Sequence, residues 1–224
     1  MHYAEFKLNE PDLIPAMVSA FPFATIMVNG PTSPLAVHAP ATLSTGADGS
    51  ESLEFHIAVA NPAFETMQTD PFVTVCFHGP STAISPSWYE GRFPTRDADR
   101  SRTAPTYNYL NLVVTGRVTP LNTTELRDQI RDLVQKLEPG GGWQFHEIAT
   151  ETYAAWSALI RGFRVRIETA DLTAKLSQEQ NVEDRLGIAK GLRRRSGFMD
   201  DAMAGLVEGF DGSAGSLTSL ICAR

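Results

Sequence analysis

The chain has 224 residues, 42% of them hydrophobic and 20% charged, which allows one large globular domain and excludes wholesale disorder. A net charge of −7 excludes a chain-wide electrostatic surface for nucleic acid and confines any DNA contact to a local patch. Two cysteines, Cys76 and Cys222, exclude a disulfide framework and a thiolate zinc site, so no metal is expected.

The start of the chain, Met1-His2-Tyr3-Ala4-Glu5-Phe6, lacks a charged segment leading into an apolar one, and no uninterrupted apolar window approaches a membrane span. A cytoplasmic protein is expected. Leu13, Ile14, Met17 and Val18 sit at helical spacing, with Asn9 as the expected cap and Pro11 in the first turn. Phe21 to Val28 reads as a buried strand ended by Asn29-Gly30-Pro31, and Leu35 to His38 as a second. The polar stretch from Ser44 to Ser52 is a hairpin-like connection into a third strand, Leu53 to Val59, stopped by Asn61-Pro62. A short helix over Ala63 to Thr69 and a strand over Phe72 to Phe77 follow, with Cys76 as a small buried hydrophobe.

His78-Gly79-Pro80 is expected to turn the chain into a short strand at Thr82 to Ser85. Residues 86 to 105 form a long loop rich in Pro, Gly, Arg and Asp, and Tyr107 to Val118 a strand. Asn122-Thr123-Thr124-Glu125 is a capping box for a helix with Leu126, Ile130, Leu133, Val134 and Leu137 on one face. After Gly140-Gly141-Gly142 comes a helix near Thr152 to Ile160. Phe163-Arg164-Val165-Arg166-Ile167-Glu168 then alternates strictly, as a half-buried strand does. From Val182 the pattern is helical and interrupted by glycine. The fold class is therefore mainly β with helices (α+β), a barrel core with helices outside it. The division expected is a barrel domain over 1–178 and a helical extension over 179–224.

No histidine pair has zinc-protease spacing; His146-Glu147 stands without a second His. His38 and His56 lie on strands read as neighbours, either as hydrogen-bonded strand histidines or as polar groups lining a ligand cleft. Ile84-Ser85-Pro86-Ser87-Trp88-Tyr89 places two hydroxyls around a proline beside two large rings. That chemistry suits a planar heterocycle bearing oxygens, although a Ser-Pro turn with its rings in the core reads equally well. Pro105-Thr106-Tyr107-Asn108-Tyr109 repeats it at the other end of the long loop, and Lys175-Leu176-Ser177-Gln178 offers an ammonium and a hydroxyl to an anion. Arg193-Arg194-Arg195 is the one basic run. It reads as a solvated helix end, and as the place where any DNA affinity would concentrate.

Taken in order, Pro22-Phe23-Ala24-Thr25, Val37-His38-Ala39-Pro40, His56 through Asn61-Pro62, Gly79-Pro80, the Ser85 to Tyr89 segment, Pro105 to Tyr109, Lys175 to Gln178 and Asp184-Arg185-Leu186-Gly187 resemble the PaiB-type FMN-binding negative transcriptional regulators, over about residues 1 to 192. The resemblance implies a split barrel of the kind shared with pyridoxamine phosphate oxidases and flavin reductases. It also implies FMN as cofactor, a homodimer with clefts between subunits, and a regulatory role exerted either on DNA directly, through an unidentified surface, or through a partner. A flavin-dependent oxidoreductase with a nicotinamide donor and a non-catalytic sensor are the alternatives. The resemblance further implies that His38, His56 and Asn61 face the phosphate and ribityl chain. Ser85, Ser87, Trp88, Tyr89, Thr106, Asn108 and Tyr109 would then line the isoalloxazine, with Lys175 and Ser177 closing the cleft. Val59 stands where many members carry a basic or aromatic residue, so FMN is expected to bind less tightly than it does in them.

Overall fold

The structure is a computed structural model that describes residues 4–8, 10–46, 48–69 and 72–223. Asn9, the expected cap, and His2 lie outside the described residues. After a short 3-10 turn come β1 (Lys7–Leu8), α1 (Leu13–Ala20), β2 (Phe23–Asn29), β3 (Pro34–Pro40), β4 (Thr42–Thr45), β5 (Glu51–Ala58) and α2 (Ala63–Thr69). Then come β6 (Phe72–Ile84), β7 (Thr106–Pro120), α3 (Thr123–Leu137), α4 (Thr150–Ser157) and β8 (Ile160–Lys175). The chain finishes on α5 (Val182–Arg195), α6 (Asp200–Gly209) and α7 (Ala214–Cys222). Strand order along the sheet is β3-β2-β6-β7-β8-β5-β4, with β1 paired to β8.

Two compact units divide the chain. One comprises Met1–Ala20, His78–Leu112 and Asp171–Arg224; the other comprises Phe21–Phe77 and Val113–Ala170. The long strands β6, β7 and β8 contribute residues to both. In the second unit β2 is antiparallel to both β3 and β6, and β5 to both β4 and β8. Phe163 on β8 fills its core, stacked on Phe55 of β5 at 5.9 Å and met edge-on by Phe64 of α2 at 6.4 Å. The alternation read at Phe163 to Glu168 is real: Phe163 and Val165 are buried, while Arg164 reaches Glu54 and Glu125 at 2.8 and 2.9 Å. Glu125 also accepts from the Asn122 amide at 2.8 Å, so the expected capping box is joined to the sheet by an ion pair.

In the first unit α1 packs on α7 and α5 on α6, burying Leu13, Met17, Ile188, Leu192, Met203, Leu206 and Leu217. Ser213 caps α7 and Asn181 caps α5. Arg185 donates to the Val207 and Phe210 carbonyls, satisfying the end of α6 that helix geometry leaves without donors. Among the described residues no helix is long and apolar enough to cross a membrane.

Three expectations are corrected. His78-Gly79-Pro80 does not turn the chain, because β6 runs unbroken to Ile84 with Gly79 and Pro80 buried. Gly79 is there for close packing: a Cβ on it would meet the Leu110 side chain at 3.1 Å. The separate strand expected at Thr82 to Ser85 is the end of β6. His38 and His56 do not face one another across a strand pair: β3 and β5 touch but are not hydrogen-bonded, and His38 lies opposite Thr25 on β2 and His56 opposite Gly162 on β8.

Gly116 on β7 marks the tightest backbone approach in the second unit, since a Cβ there would lie 2.0 Å from the Arg166 carbonyl oxygen on β8. Gly116→Ala must therefore push two paired strands apart, and urea unfolding is expected to show a loss of about 1–3 kcal/mol. Gly140→Ala, with nothing within 4 Å of its new methyl, is the control and should change stability by less than about 0.5 kcal/mol. Equal effects from the two would contradict the close approach.

Candidate functional site

The polar groups collected in the first unit come from β7 and the end of β8. Lys175 is 5% exposed, yet among the described residues it has no carboxylate partner. Its ammonium donates to the Thr106 hydroxyl and lies 5.8 Å from the centre of the Phe6 ring. Two residues further along each segment, with Ser177 just past the end of β8, Asn108 Nδ2 donates to Ser177 Oγ at 2.8 Å, and both residues are buried. Asn108 Oδ1 has no partner. Ser177 adopts the left-handed conformation at φ 60, which a serine occupies only when its surroundings impose it. Gln178 holds the turn by accepting from the Leu176 amide and donating to the Ala174 carbonyl, at 2.7 and 2.8 Å.

A buried ammonium facing only a hydroxyl and a ring, beside an orphaned amide oxygen, is an incomplete polar constellation. An unsatisfied buried polar atom costs about 1–3 kcal/mol, and an unpaired charge more. The set can receive an anionic or carbonyl oxygen at Lys175 and an N–H donor at Asn108. A heterocycle with both functions on its edge meets both needs.

The Ser85 to Tyr89 segment lies in the same unit and forms a 3-10 turn. Ser85 Oγ caps it by accepting from the Ser87 amide at 3.2 Å, and the two hydroxyls lie 2.7 Å apart. Tyr89 is buried and stacks on Phe93 at 6.3 Å with Arg92 over its ring, which fits the reading of a ring in the core. Trp88 is half-buried and carries the Arg195 guanidinium 5.1 Å from its ring centre. Tyr109 is half-buried. The long loop that follows is tied to α5 by Asp184, which is fully buried and accepts from the Arg92 amide at 2.9 Å.

Three expected residues belong to the second unit. His38 is exposed and meets Phe23 edge-on at 6.3 Å. His56 Nδ1 lies 2.8 Å from Gln129 Oε1 on α3, which is the hydrogen-bonded strand histidine of the simpler reading. Gln129 is itself buried, with its Nε2 unpartnered. Asn61 caps α2, accepting from the Ala63 amide at 2.9 Å. Burial pushes the Cys76 thiol up, as expected of an unreactive core cysteine.

The basic run is mostly neutralised. Arg193 pairs with Glu208 at 2.6 Å and with Asp201 at 3.7 Å, and Arg195 forks onto Asp200, leaving Arg194 without an ion pair among the described residues. The sequence shows Arg195 only as part of the basic run, and its pairing with Asp200 goes unread there because nothing local joins the two to Thr82. Asp200 is 1% exposed and accepts from Arg195, Thr82 and the Gly197 amide. The Arg195 guanidinium, against the opposing effect of burial, lowers its carboxyl from 3.8 to about 2. A depressed pKa gives stability that is complete above the ordinary carboxylate range and is lost as pH falls toward the folded value. Unfolding across pH is therefore expected to show about 2 kcal/mol lost between roughly pH 5 and 2 in the wild type. Asp200→Asn should lack that component; an identical acid limb in both proteins would rule out this pair as its source.

Comparison with known proteins sets these groups in context. The model of a family described as "Putative FMN-binding domain" matches residues 1–169. "Protease synthase and sporulation protein PAI 2" of Bacillus subtilis (strain 168) is 25% identical over 205 residues, covering 91% of this chain and 94% of its own. Among solved structures, the flavocytochrome Anf3 from Azotobacter vinelandii superposes with a TM-score of 0.59 at 14% identity, covering 78% of this chain and 71% of that one. The FAD and heme binding protein from Mycobacterium smegmatis gives 0.56 at 14% identity, covering 76% and 73%. These two likenesses establish the fold: the antiparallel sheet with its helices is the split barrel expected from the sequence.

Proposed function

The chain belongs to the FMN-binding domain family, and on that premise we propose that Lys175, Thr106, Asn108 and Ser177 hold the cofactor, with Ser85, Ser87 and Trp88 contributing from the adjoining turn. The residues present fit the group. Among the described residues the buried Lys175 ammonium lacks an anion and the Asn108 Oδ1 lacks a donor, while FMN carries ring carbonyl oxygens, a ring N–H and a phosphate. The single observation that carries the reading is that unpaired, buried ammonium. When bound, FMN supplies one- or two-electron redox chemistry, and the protein supplies orientation and electrostatics. Lys175 would stabilise negative charge on an oxygen placed against it, Asn108 would orient a donor, and the left-handed turn at Ser177 keeps its hydroxyl on Asn108 rather than in water.

The output in this reading is regulatory: a cytoplasmic homodimer that acts as a negative regulator of transcription according to its flavin site. The motif resemblance and the 25% identical PAI 2 relative support it. The net charge of −7 and the ion-paired Arg193 and Arg195 favour an output passed through another protein over direct contact with DNA.

Titration with FMN, followed by quenching of flavin fluorescence, tests the site. The wild type is expected to saturate, and Lys175→Met to bind about 10- to 100-fold more weakly, the worth of a charge-assisted hydrogen bond. Equal affinity in the two proteins would remove Lys175 from the site, and no quenching in either would remove FMN.

A further inference from the structure

The helix that follows the site strands carries two glycines one turn apart, Gly187 and Gly191, where helix propensity alone disfavours them. Both face the Ser85 to Tyr89 turn. A Cβ on Gly191 would sit 2.3 Å from Cδ2 of Trp88 and 2.4 Å from its Cγ, so the indole lies directly on the helix backbone. A Cβ on Gly187 would lie 2.1 Å from the Trp88 carbonyl oxygen. One turn beyond Gly191, Arg195 covers the indole at 5.1 Å. Its guanidinium is itself immobilised, donating to Asp200 through Nε at 2.6 Å and Nη2 at 2.5 Å, to Thr82 at 2.5 Å and to the Ala83 carbonyl at 2.9 Å. Ser196, left-handed at φ 55, ends the helix so that the Gly197 amide also reaches Asp200, at 2.9 Å.

We propose that α5 and the start of α6, which lie beyond the residues matched by the family model, orient Trp88 for the flavin site, with Gly191 as its seat and Arg195 as a positioning residue. The proposal rests on the flavin reading above and adds to it a specificity element that residues 1–169 lack. Arg195 acts only through the indole and through its anchors. Its fixed fork restrains the ring orientation, since the indole packs on the helix backbone at Gly191 and against a guanidinium that cannot swing away.

The test uses the full chain. Gly191→Ala forces the indole to move, and its clash with Trp88 Cγ and Cδ2 outweighs the gain in helix propensity, so some stability is lost with it. It is expected to weaken FMN about tenfold, and the Trp88→Ala background, which removes the clash, separates positioning from folding. Arg195→Lys, which keeps the charge but loses the fork, is expected to weaken FMN in the same direction. In a Trp88→Ala background neither substitution should change FMN affinity further. A second readout needs no flavin: with Trp143→Phe and Trp156→Phe in place, Trp88 is the remaining tryptophan, and its emission should shift in Gly191→Ala. Should the wild type fail to take up FMN, the flavin reading falls, and the Trp88 emission alone decides the seat. Unchanged emission with unchanged FMN affinity in Gly191→Ala would overturn the proposal, as would equal losses of affinity with and without Trp88.

Discussion

A primary ammonium removed from water is the constraint around which the candidate site is arranged. Desolvating Lys175 is costly unless an opposite charge or a set of acceptors replaces the lost water, and among the described residues the chain provides a single hydroxyl and a ring face. Nothing in packing calls for a lysine at that point. The same strand end brings Asn108 onto Ser177 and leaves the Asn108 Oδ1 without a donor, so two unmet demands of opposite sense lie within two residues along the same pair of strands. An apolar residue at 175 would serve the core better. In the proposed reading the lysine awaits a ligand, and membership of an FMN-binding family makes FMN the ligand to test.

The surrounding structure holds this arrangement by restraining turns. The left-handed Ser177 is kept by Gln178 and by Asn108; the turn ahead of Trp88 is kept by the two serine hydroxyls. Below it, Asp200 gathers Arg195, Thr82 and a backbone amide into one buried group whose low pKa reports how completely its charge is satisfied. The basic run Arg193-Arg194-Arg195 thereby changes meaning. Two of its three charges are committed to α6, so what reads in sequence as a solvated helix end, and as the place for any DNA affinity, is largely a structural clamp.

Legibility in the sequence followed the range of the interaction. The Asn122–Glu125 capping box and the Phe163–Glu168 alternation are local patterns with local causes, and both hold in the structure. The His78-Gly79-Pro80 segment misleads because Gly and Pro mark turns in most contexts. Here the absent Cβ admits Leu110 and the strand continues. The histidines mislead only as to pairing, because pairing order is non-local: β3 and β5 touch, but they pair with β2 and with β4 and β8. Sequence motifs brought forward Lys175, Asn108 and Ser177 as residue types. The orphaned oxygen, the left-handed turn and the missing counter-ion are properties of the fold. Gly187 and Gly191 did leave a signal, two glycines at i and i+4 in a helix, which names a face but not the ring that covers it.

The most direct measurement is a crystal structure of the chain grown with FMN. The account predicts a flavin oxygen within hydrogen-bond distance of Lys175 Nζ and a donor from the same molecule on Asn108 Oδ1. FMN bound with Lys175 still engaged only by Thr106 and the Phe6 ring, or a site elsewhere on the chain, would contradict it.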